Sequence, residues 1–240
     1  MLAGGRGTRL APYTSVLPKP LMPIGDQSIL EIVVRRLARF GITDVTMCVG
    51  YLSRLIEAIF AGEVWAQEQI RFVRESEPLG TAAPLRLVDG LTDTFLVMNG
   101  DVLSSIDYDA LLEHHHHSGN RLTIAGYSRR TRIDFGVLRL QPDDEGQRLV
   151  AYDEKPALDL MVSMGVYVME PEVLVHIGRE GYFDFPDLVQ ALLRVGEQVG
   201  IYLHEGFWLD IGRHEDYQQA IDAWESGRLT ELTVTSEVPG

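Results

Sequence analysis

Chemistry in this sequence begins at its amino end, where Gly4-Gly5-Arg6-Gly7-Thr8-Arg9 combines three glycines with two arginines. Backbone free of side chains can turn its amides onto phosphate oxygens, and the guanidinium groups balance phosphate charge. Two common phosphate loops are excluded by spacing. A dinucleotide-binding pattern begun at Gly5 and Gly7 meets Leu10 where its third glycine belongs, and the Gly-Lys-Ser/Thr ending of a P-loop is absent. Ten residues after Arg9, Lys19 stands between Pro18 and Pro20. The restricted dihedrals of such a stretch hold the lysine stem in an extended, defined direction. Pro-Lys-Pro alone reads as a surface turn with a solvated lysine. Beside a phosphate loop, a fixed lysine is what phosphoryl chemistry uses.

Two carboxylates have the setting of cation ligands. Asn99-Gly100-Asp101 follows the apolar run Phe95 to Met98, so Asp101 emerges at the carboxyl end of an expected strand, where open α/β sheets place ligands. The same three residues also make an ordinary turn. Asp210, in Trp208-Leu209-Asp210-Ile211-Gly212, lies between apolar residues, an awkward place for an unpaired charge. It serves equally as a cap or ion-pair partner ahead of a helix starting near His214. Glu154-Lys155 reads on local grounds as solvated surface, and Gly136 marks either a close backbone approach or a bulge. His114 to His117 suggest a metal cluster, but four consecutive side chains leave a helix in different directions and cannot meet one ion. They read as a solvated helix end.

The 240 residues are 45% hydrophobic, enough for a sizeable core, and the length favours one α/β domain with one site. Ser28 to Phe40 has helical spacing, a capping box at Ser28 and Glu31, and a stop at Gly41. Further helical patterns cover Leu52 to Phe60, Thr81 to Val88, Pro186 to Val195 and His214 to Trp224, the last stopped by Gly227. Strands are expected at Val45 to Val49, Ile70 to Val73 and Phe95 to Met98, an alternation that gives a largely parallel sheet. After Asp101, the runs Leu122 to Tyr127, Phe135 to Leu140, Leu149 to Tyr152 and Val162 to Met169, with a turn cluster from Pro142 to Gly146, favour antiparallel pairing. Residues from Arg228 to Gly240 read as a loosely held polar tail after a domain spanning 1–227.

Composition excludes several partners. Against 21 Lys and Arg stand 35 Asp and Glu, a formal charge of -14 that repels nucleic acid while leaving room for a nucleotide at a local basic cluster. The single cysteine, Cys48, excludes an internal disulfide and reads as a small buried hydrophobe suited to a reducing compartment. No stretch has the apolar length of a membrane span and no secretory signal opens the chain, so a cytoplasmic location without a membrane partner is expected. Only Met1, Leu2 and Ala3 precede the glycines, so the strand feeding the loop is very short and a start upstream of Met1 is one expectation.

The run Leu2 to Leu10, followed by Leu17-Pro18-Lys19-Pro20-Leu21 and Pro23-Ile24-Gly25, resembles the signature of the sugar nucleotidylyltransferase family, and the likeness extends to about Tyr217. The resemblance implies a Rossmann-like α/β fold: a mixed, mostly parallel sheet flanked by helices, with antiparallel elements in the sugar-binding half. It implies that Ala3, Gly4, Gly5, Gly7, Thr8 and Asn99 bind the nucleotide, that Arg9 holds the departing pyrophosphate, and that Lys19 neutralises the reacting phosphates. Asp101 and Asp210 resemble the family's Mg²⁺ ligands. Glu154-Lys155-Pro156 resembles its sugar and sugar-phosphate contacts, Gly136 its backbone approach to the sugar, and Ser163 replaces the asparagine of many relatives. Glu75 and Pro78-Leu79-Gly80-Thr81 resemble the base-side segment of mannose- and heptose-1-phosphate guanylyltransferases, which favours GTP.

The reaction so implied is in-line attack by a sugar 1-phosphate oxygen on the α-phosphorus of a nucleoside triphosphate, releasing pyrophosphate without a covalent protein intermediate. The attacking phosphate is already ionised, so a serine-histidine or cysteine-histidine pair is not required. A nucleotide-sugar-dependent glycosyltransferase commonly carries Asp-x-Asp, where this chain has Asn99-Gly100-Asp101. A non-catalytic nucleotide-sugar sensor is expected to lose Arg9, Lys19 or an aspartate, and all are present. No hexapeptide repeat follows, so no acyltransferase extension is expected, and a homo-oligomer is compatible with the sequence.

Overall fold

The computed structural model describes residues 1–62, 65, 69–143 and 146–233. Its strands are β1 (Leu2–Ala3), β2 (Pro23–Ile24), β3 (Gln27–Ser28), β4 (Asp44–Val49), β5 (Gln69–Arg74), β6 (Phe95–Met98), β7 (Val102–Ser104), β8 (Leu122–Arg132), β9 (Val137–Asp143), β10 (Gly146–Asp153), β11 (Ala157–Met169), β12 (Val199–His204) and β13 (Trp208–Asp210). The helices are α1 (Ile29–Arg39), α2 (Ser53–Phe60), α3 (Tyr108–Ser118), α4 (Phe185–Val195), α5 (His214–Glu225) and α6 (Thr230–Thr233).

The central sheet is mixed and mostly parallel. β1, β4 and β5 form one parallel group in that order, and β12-β8-β11-β6 forms a second in which β11 runs against both neighbours. A parallel bridge from Leu2 to Asn99 joins them, with the Gly100 N–H donating to the Leu2 carbonyl at 2.8 Å. The carboxyl ends of β4, β1 and β6 therefore share one edge, where the chain continues into Gly50, Gly4 and Asn99. Alternate residues of β6 divide between two hydrophobic clusters, Leu96 and Met98 in the main one and Phe95 and Val97 in the second. The two clusters thus cover opposite faces of the sheet.

Local sequence accounts for the first covering helix. The Glu31 N–H donates to Ser28 Oγ at 3.3 Å and the Ser28 N–H to Glu31 Oε2 at 2.7 Å, so the expected capping box forms. Ile29, Leu30, Ile32, Val33, Val34 and Leu37 are then buried along one face of α1. The segment Thr81 to Val88 departs from its helical pattern and forms only a 3₁₀ turn at Ala83–Leu87. Pro84 lies inside it, and the Ala82 and Ala83 N–H groups are both taken by the Phe183 carbonyl at 3.0 Å, which draws the backbone away from an α-helix.

The second half is more extended than its apolar runs suggested. β8 and β11 pair from Leu122–Met169 out to Arg132–Ala157, and their outer halves, with the β9–β10 hairpin, make an exposed arm. Of the expected turn cluster, Pro142 and Asp143 belong to β9 and Gly146 to β10, while residues 144 and 145 lie outside the described residues. Two polar readings are corrected. His115 is 1% exposed, its ring bonded to Thr123 Oγ1 at 2.7 Å and Glu170 Oε1 at 3.0 Å, so one histidine of the run anchors α3 to the sheet. The segment expected to be loose from Arg228 is held as far as Leu232, because Leu229 and Leu232 are buried in the main cluster; residues 234–240 lie outside the described residues. Cys48 is buried, as expected. Among the described residues no helix is long and apolar enough to cross a membrane.

Candidate active site

β1 ends at Ala3 and releases the glycine loop at the sheet edge. The Gly4 carbonyl accepts from the Tyr51 N–H at 3.2 Å, and a Cβ on Gly4 would meet the Glu75 carboxylate, so a side chain there would have to displace Glu75. Gly7 adopts φ +61°, and a Cβ on it would lie 3.0 Å from both Lys19 Cβ and Thr14 Cγ2. The loop therefore rests on the lysine stem. Thr14 Oγ1 donates to the Gly7 carbonyl at 2.9 Å, and the fully buried Leu10 anchors the short 3₁₀ turn Thr8–Leu10. Pro18 is extended as expected, but Lys19 itself opens a 3₁₀ turn, Lys19–Leu21, that directs its side chain beneath the loop.

Lys19 is 9% exposed and its ammonium makes an ion pair with Asp101, with Asp210 Oδ1 3.9 Å away. The two aspartates meet because β7 and β13 pair antiparallel with Asp210 opposite Val102, the neighbour of Asp101. Arg9 completes the cluster beside Gly212, where a Cβ would meet both terminal guanidinium nitrogens at 3.6 Å. Burial raises the Asp210 carboxyl above its ordinary value, the nearby Asp101 charge adds to the rise, and Lys19 and Arg9 oppose it. Two hard oxygen donors crowded in this way suit a cation that keeps water and phosphate oxygens as its other ligands. Among the described residues no cluster of three or more Asp, Glu, His or Cys gathers, so Asp101 and Asp210 would be the protein's share.

The opposite wall is held by contacts that local sequence reading did not find. Asp184 Oδ1 accepts from the Thr81 N–H at 2.8 Å and from Thr81 Oγ1 at 2.9 Å, while the Tyr182 hydroxyl donates to Asp184 Oδ2 at 2.6 Å. Gly80, at φ +90°, passes so close that a Cβ would sit 2.7 Å from the Phe183 carbonyl. We expect Gly80→Ala to cost about 1–3 kcal/mol, from backbone strain alone. An unchanged melting temperature would show that this crossing relaxes freely. Glu75, pushed above its usual range by burial, accepts from the Leu79 N–H at 3.3 Å.

Between these walls lies a cleft of about 430 Å³. It gathers Ala3, Gly4, Gly5, Gly7, Thr8, Arg9, Lys19, Glu75, Gly80, Thr81, Asn99 and Asp101 from the sequence analysis, and adds Tyr182 and Asp184. Ser163 stands behind it: its hydroxyl accepts from the Gly165 N–H at 3.3 Å, and the Gly165 carbonyl accepts from the Asn99 N–H at 2.9 Å. Gly136, Glu154 and Lys155 are outside the cleft lining, within the exposed arm where the outer ends of β8 and β11 join the β9–β10 hairpin. Gly136 is closed over by Tyr152, whose hydroxyl donates to Glu154 Oε2 at 3.0 Å, and Lys155 holds a left-handed backbone at φ +46°. A non-glycine residue in that region is strained, a feature that gathers at functional sites.

The nucleotidyl transferase family model matches residues 1–227. A mannose-1-phosphate guanyltransferase of Emericella nidulans is 32% identical over 224 residues, and the catalytic subunit beta of a Danio rerio mannose-1-phosphate guanylyltransferase is 33% identical over 228. Both alignments cover 90% of this chain, which spans 61% of either relative. HddC from Yersinia pseudotuberculosis shares the fold with a TM-score of 0.71 at 22% identity, over 93% of this chain and 97% of that one. A UDP-glucose pyrophosphorylase complexed with UDP-glucose has a TM-score of 0.70 at 19% identity, over 95% and 97%. On sequence and fold together, the chain belongs to the nucleotidyl transferase family.

Proposed function

We propose that the protein transfers a nucleoside monophosphate, from GTP by preference, to a sugar 1-phosphate, forming a nucleotide sugar and pyrophosphate. The observation that carries this reading is the meeting of Lys19, Arg9, Asp101 and Asp210 at the mouth of the glycine loop. A triphosphate lying along Gly4 to Arg9 would meet backbone amides first and these charges next. Lys19 would hold positive charge at the α-phosphorus, where a sugar phosphate oxygen forms the new P–O bond. Arg9 would take the charge that develops on the bridging oxygen as its bond to the α-phosphorus breaks and pyrophosphate leaves. Mg²⁺ held by Asp101 and Asp210 would add positive charge at the same phosphates.

Glu154 and Lys155 are assigned to the sugar and its phosphate, with the strained Lys155 backbone as support. Gly136 and Ser163 are proposed for the same sugar-side role. The activity is assigned to one domain, residues 1–227, acting in the cytoplasm.

The guanine preference draws on the relatives' names and on Glu75, whose carboxylate can accept from the N–H groups of a base. In a pyrophosphate-release screen of each nucleoside triphosphate against a panel of sugar 1-phosphates with Mg²⁺, GTP should show the largest kcat/KM. A larger value for UTP or dTTP would reject guanine and leave the reaction class standing.

A further inference from the structure

The cleft wall opposite the Lys19 cluster is assembled from two segments distant in sequence, residues 78–87 and 178–185. Hydrogen bonds hold the second segment on the first. Arg86 donates to the Gly178 carbonyl and, at 2.9 Å, to the Gly181 carbonyl. The Phe183 N–H donates to the Leu79 carbonyl at 2.8 Å, and the Phe185 N–H to Thr81 Oγ1 at 2.9 Å. With the Phe183 carbonyl that takes the Ala82 and Ala83 N–H groups, these bonds fix the backbone on both sides of Tyr182.

Side chains leave this stretch in two directions. Phe183 and Phe185 pack in the second hydrophobic cluster, where Phe185 stacks on Tyr167 with 4.0 Å between ring centroids. Tyr182 and Asp184 face the cleft instead. Asp184 Oδ1 is taken up by Thr81, and Oδ2 accepts from the Tyr182 hydroxyl at 2.6 Å. The tyrosine is thus tethered at its hydroxyl and fixed at its backbone, yet remains 64% exposed. A tyrosine has a large apolar body and one polar tip, and here the tip is satisfied while the body faces the cleft. A restrained aromatic at a cleft wall is preorganised for a flat ligand, since little freedom is lost when one settles on it.

Tyr182 shares its wall with Glu75 and Gly80, the side to which the proposed function assigns the base, and the inference rests on that assignment. We propose that Tyr182 is a nucleotide-binding residue whose ring serves as a stacking platform for the base. Every base has a π-face, so the platform supplies affinity, whereas the Glu75 carboxylate reads the base edge. The Asp184 carboxylate ties the ring to Thr81, so the platform keeps its place relative to the Gly80 turn.

Binding tests this without turnover, by titrating the full chain with GTP and with inorganic tripolyphosphate, each in the presence of Mg²⁺. Tyr182→Ala should weaken GTP binding about tenfold and leave tripolyphosphate, which has phosphates and no base, within about twofold of the parent. Tyr182→Phe keeps the ring face without its tether and should bind GTP within about threefold of the parent. In Tyr182→Trp the new indole should be quenched by GTP beyond any change in the parent, and not by tripolyphosphate. Equal losses of GTP and tripolyphosphate in Tyr182→Ala would show that the ring supports the phosphate loop rather than the base, and would overturn the proposal. So would GTP binding by that variant within about twofold of the parent. A parent that binds GTP no more tightly than tripolyphosphate would reject the nucleotide site of the proposed function itself, so the two failures are told apart by the parent's own titrations.

Discussion

Lys19→Ala should lower turnover at least about a hundredfold while the protein stays folded, and Arg9→Ala should do the same, since each removes charge that acts on the transition state. The lysine has two tasks. Besides facing the phosphates, it is the cation that pairs with Asp101 and lies 3.9 Å from Asp210. Its loss leaves two carboxylates facing each other, so the Asp210 carboxyl, already raised by burial and by Asp101, should rise further. Lys19→Arg should not restore the rate, because a planar, forked guanidinium does not reproduce the compact charge that the ammonium sets between Asp101 and Asp210. Pyrophosphate release and circular dichroism on the purified variants check both halves. Turnover within threefold of the parent would remove the residue from the mechanism.

Asp101→Ala and Asp210→Asn should each abolish Mg²⁺-dependent turnover, by about a thousandfold or more if both carboxylates hold the ion. Their effects on stability should have opposite signs. Asp101 is the ion-pair partner of a nearly buried ammonium, so its removal leaves Lys19 with only the more distant Asp210 and should lower the melting temperature. Asp210 has a folded-state pKa above its ordinary value of 3.8, so the folded protein binds that proton more tightly than the unfolded chain. Its contribution to stability is therefore fullest below pH 3.8 and is lost as pH rises through the raised folded value. Asp210→Asn should melt higher than the parent at neutral pH, with the advantage shrinking as pH falls toward 3.8. Melting curves at pH 4 and pH 7 decide this, and a variant less stable at pH 7 would contradict it.

How much of this site can be read from sequence depends on how far apart the partners lie. Gly7 and Lys19 are near neighbours in the chain, and a phosphate loop followed by a proline-flanked lysine is legible from residue types. The meeting of Asp101 with Asp210 is not, because it rests on the β7–β13 register that sets Asp210 opposite Val102, and only family resemblance joined the two. Tyr182 and Asp184 were missed for the same reason: Asp184 clamps Thr81 from 103 positions away. A faint signal was present, since Asp184 and Asp187 form a capping box with Pro186 in the first turn of α4, which marks a fixed helix start. Thr81 to Val88 looked helical in isolation and became a 3₁₀ turn once the Phe183 carbonyl took two of its N–H groups. His115 looked like solvated surface because its partners, Thr123 and Glu170, arrive only when β8 and β11 pack on α3.

Under the proposed function the cleft joins two phosphorylated substrates and expels pyrophosphate. Phosphorus NMR of a reaction containing GTP, mannose 1-phosphate and Mg²⁺ tests it most directly, because each product has its own resonance. Pyrophosphate and the diphosphate bridge of a nucleotide sugar should appear one for one, only when both substrates are present. Orthophosphate in place of pyrophosphate, pyrophosphate without the sugar phosphate, or no reaction with any triphosphate and sugar 1-phosphate pair would contradict it.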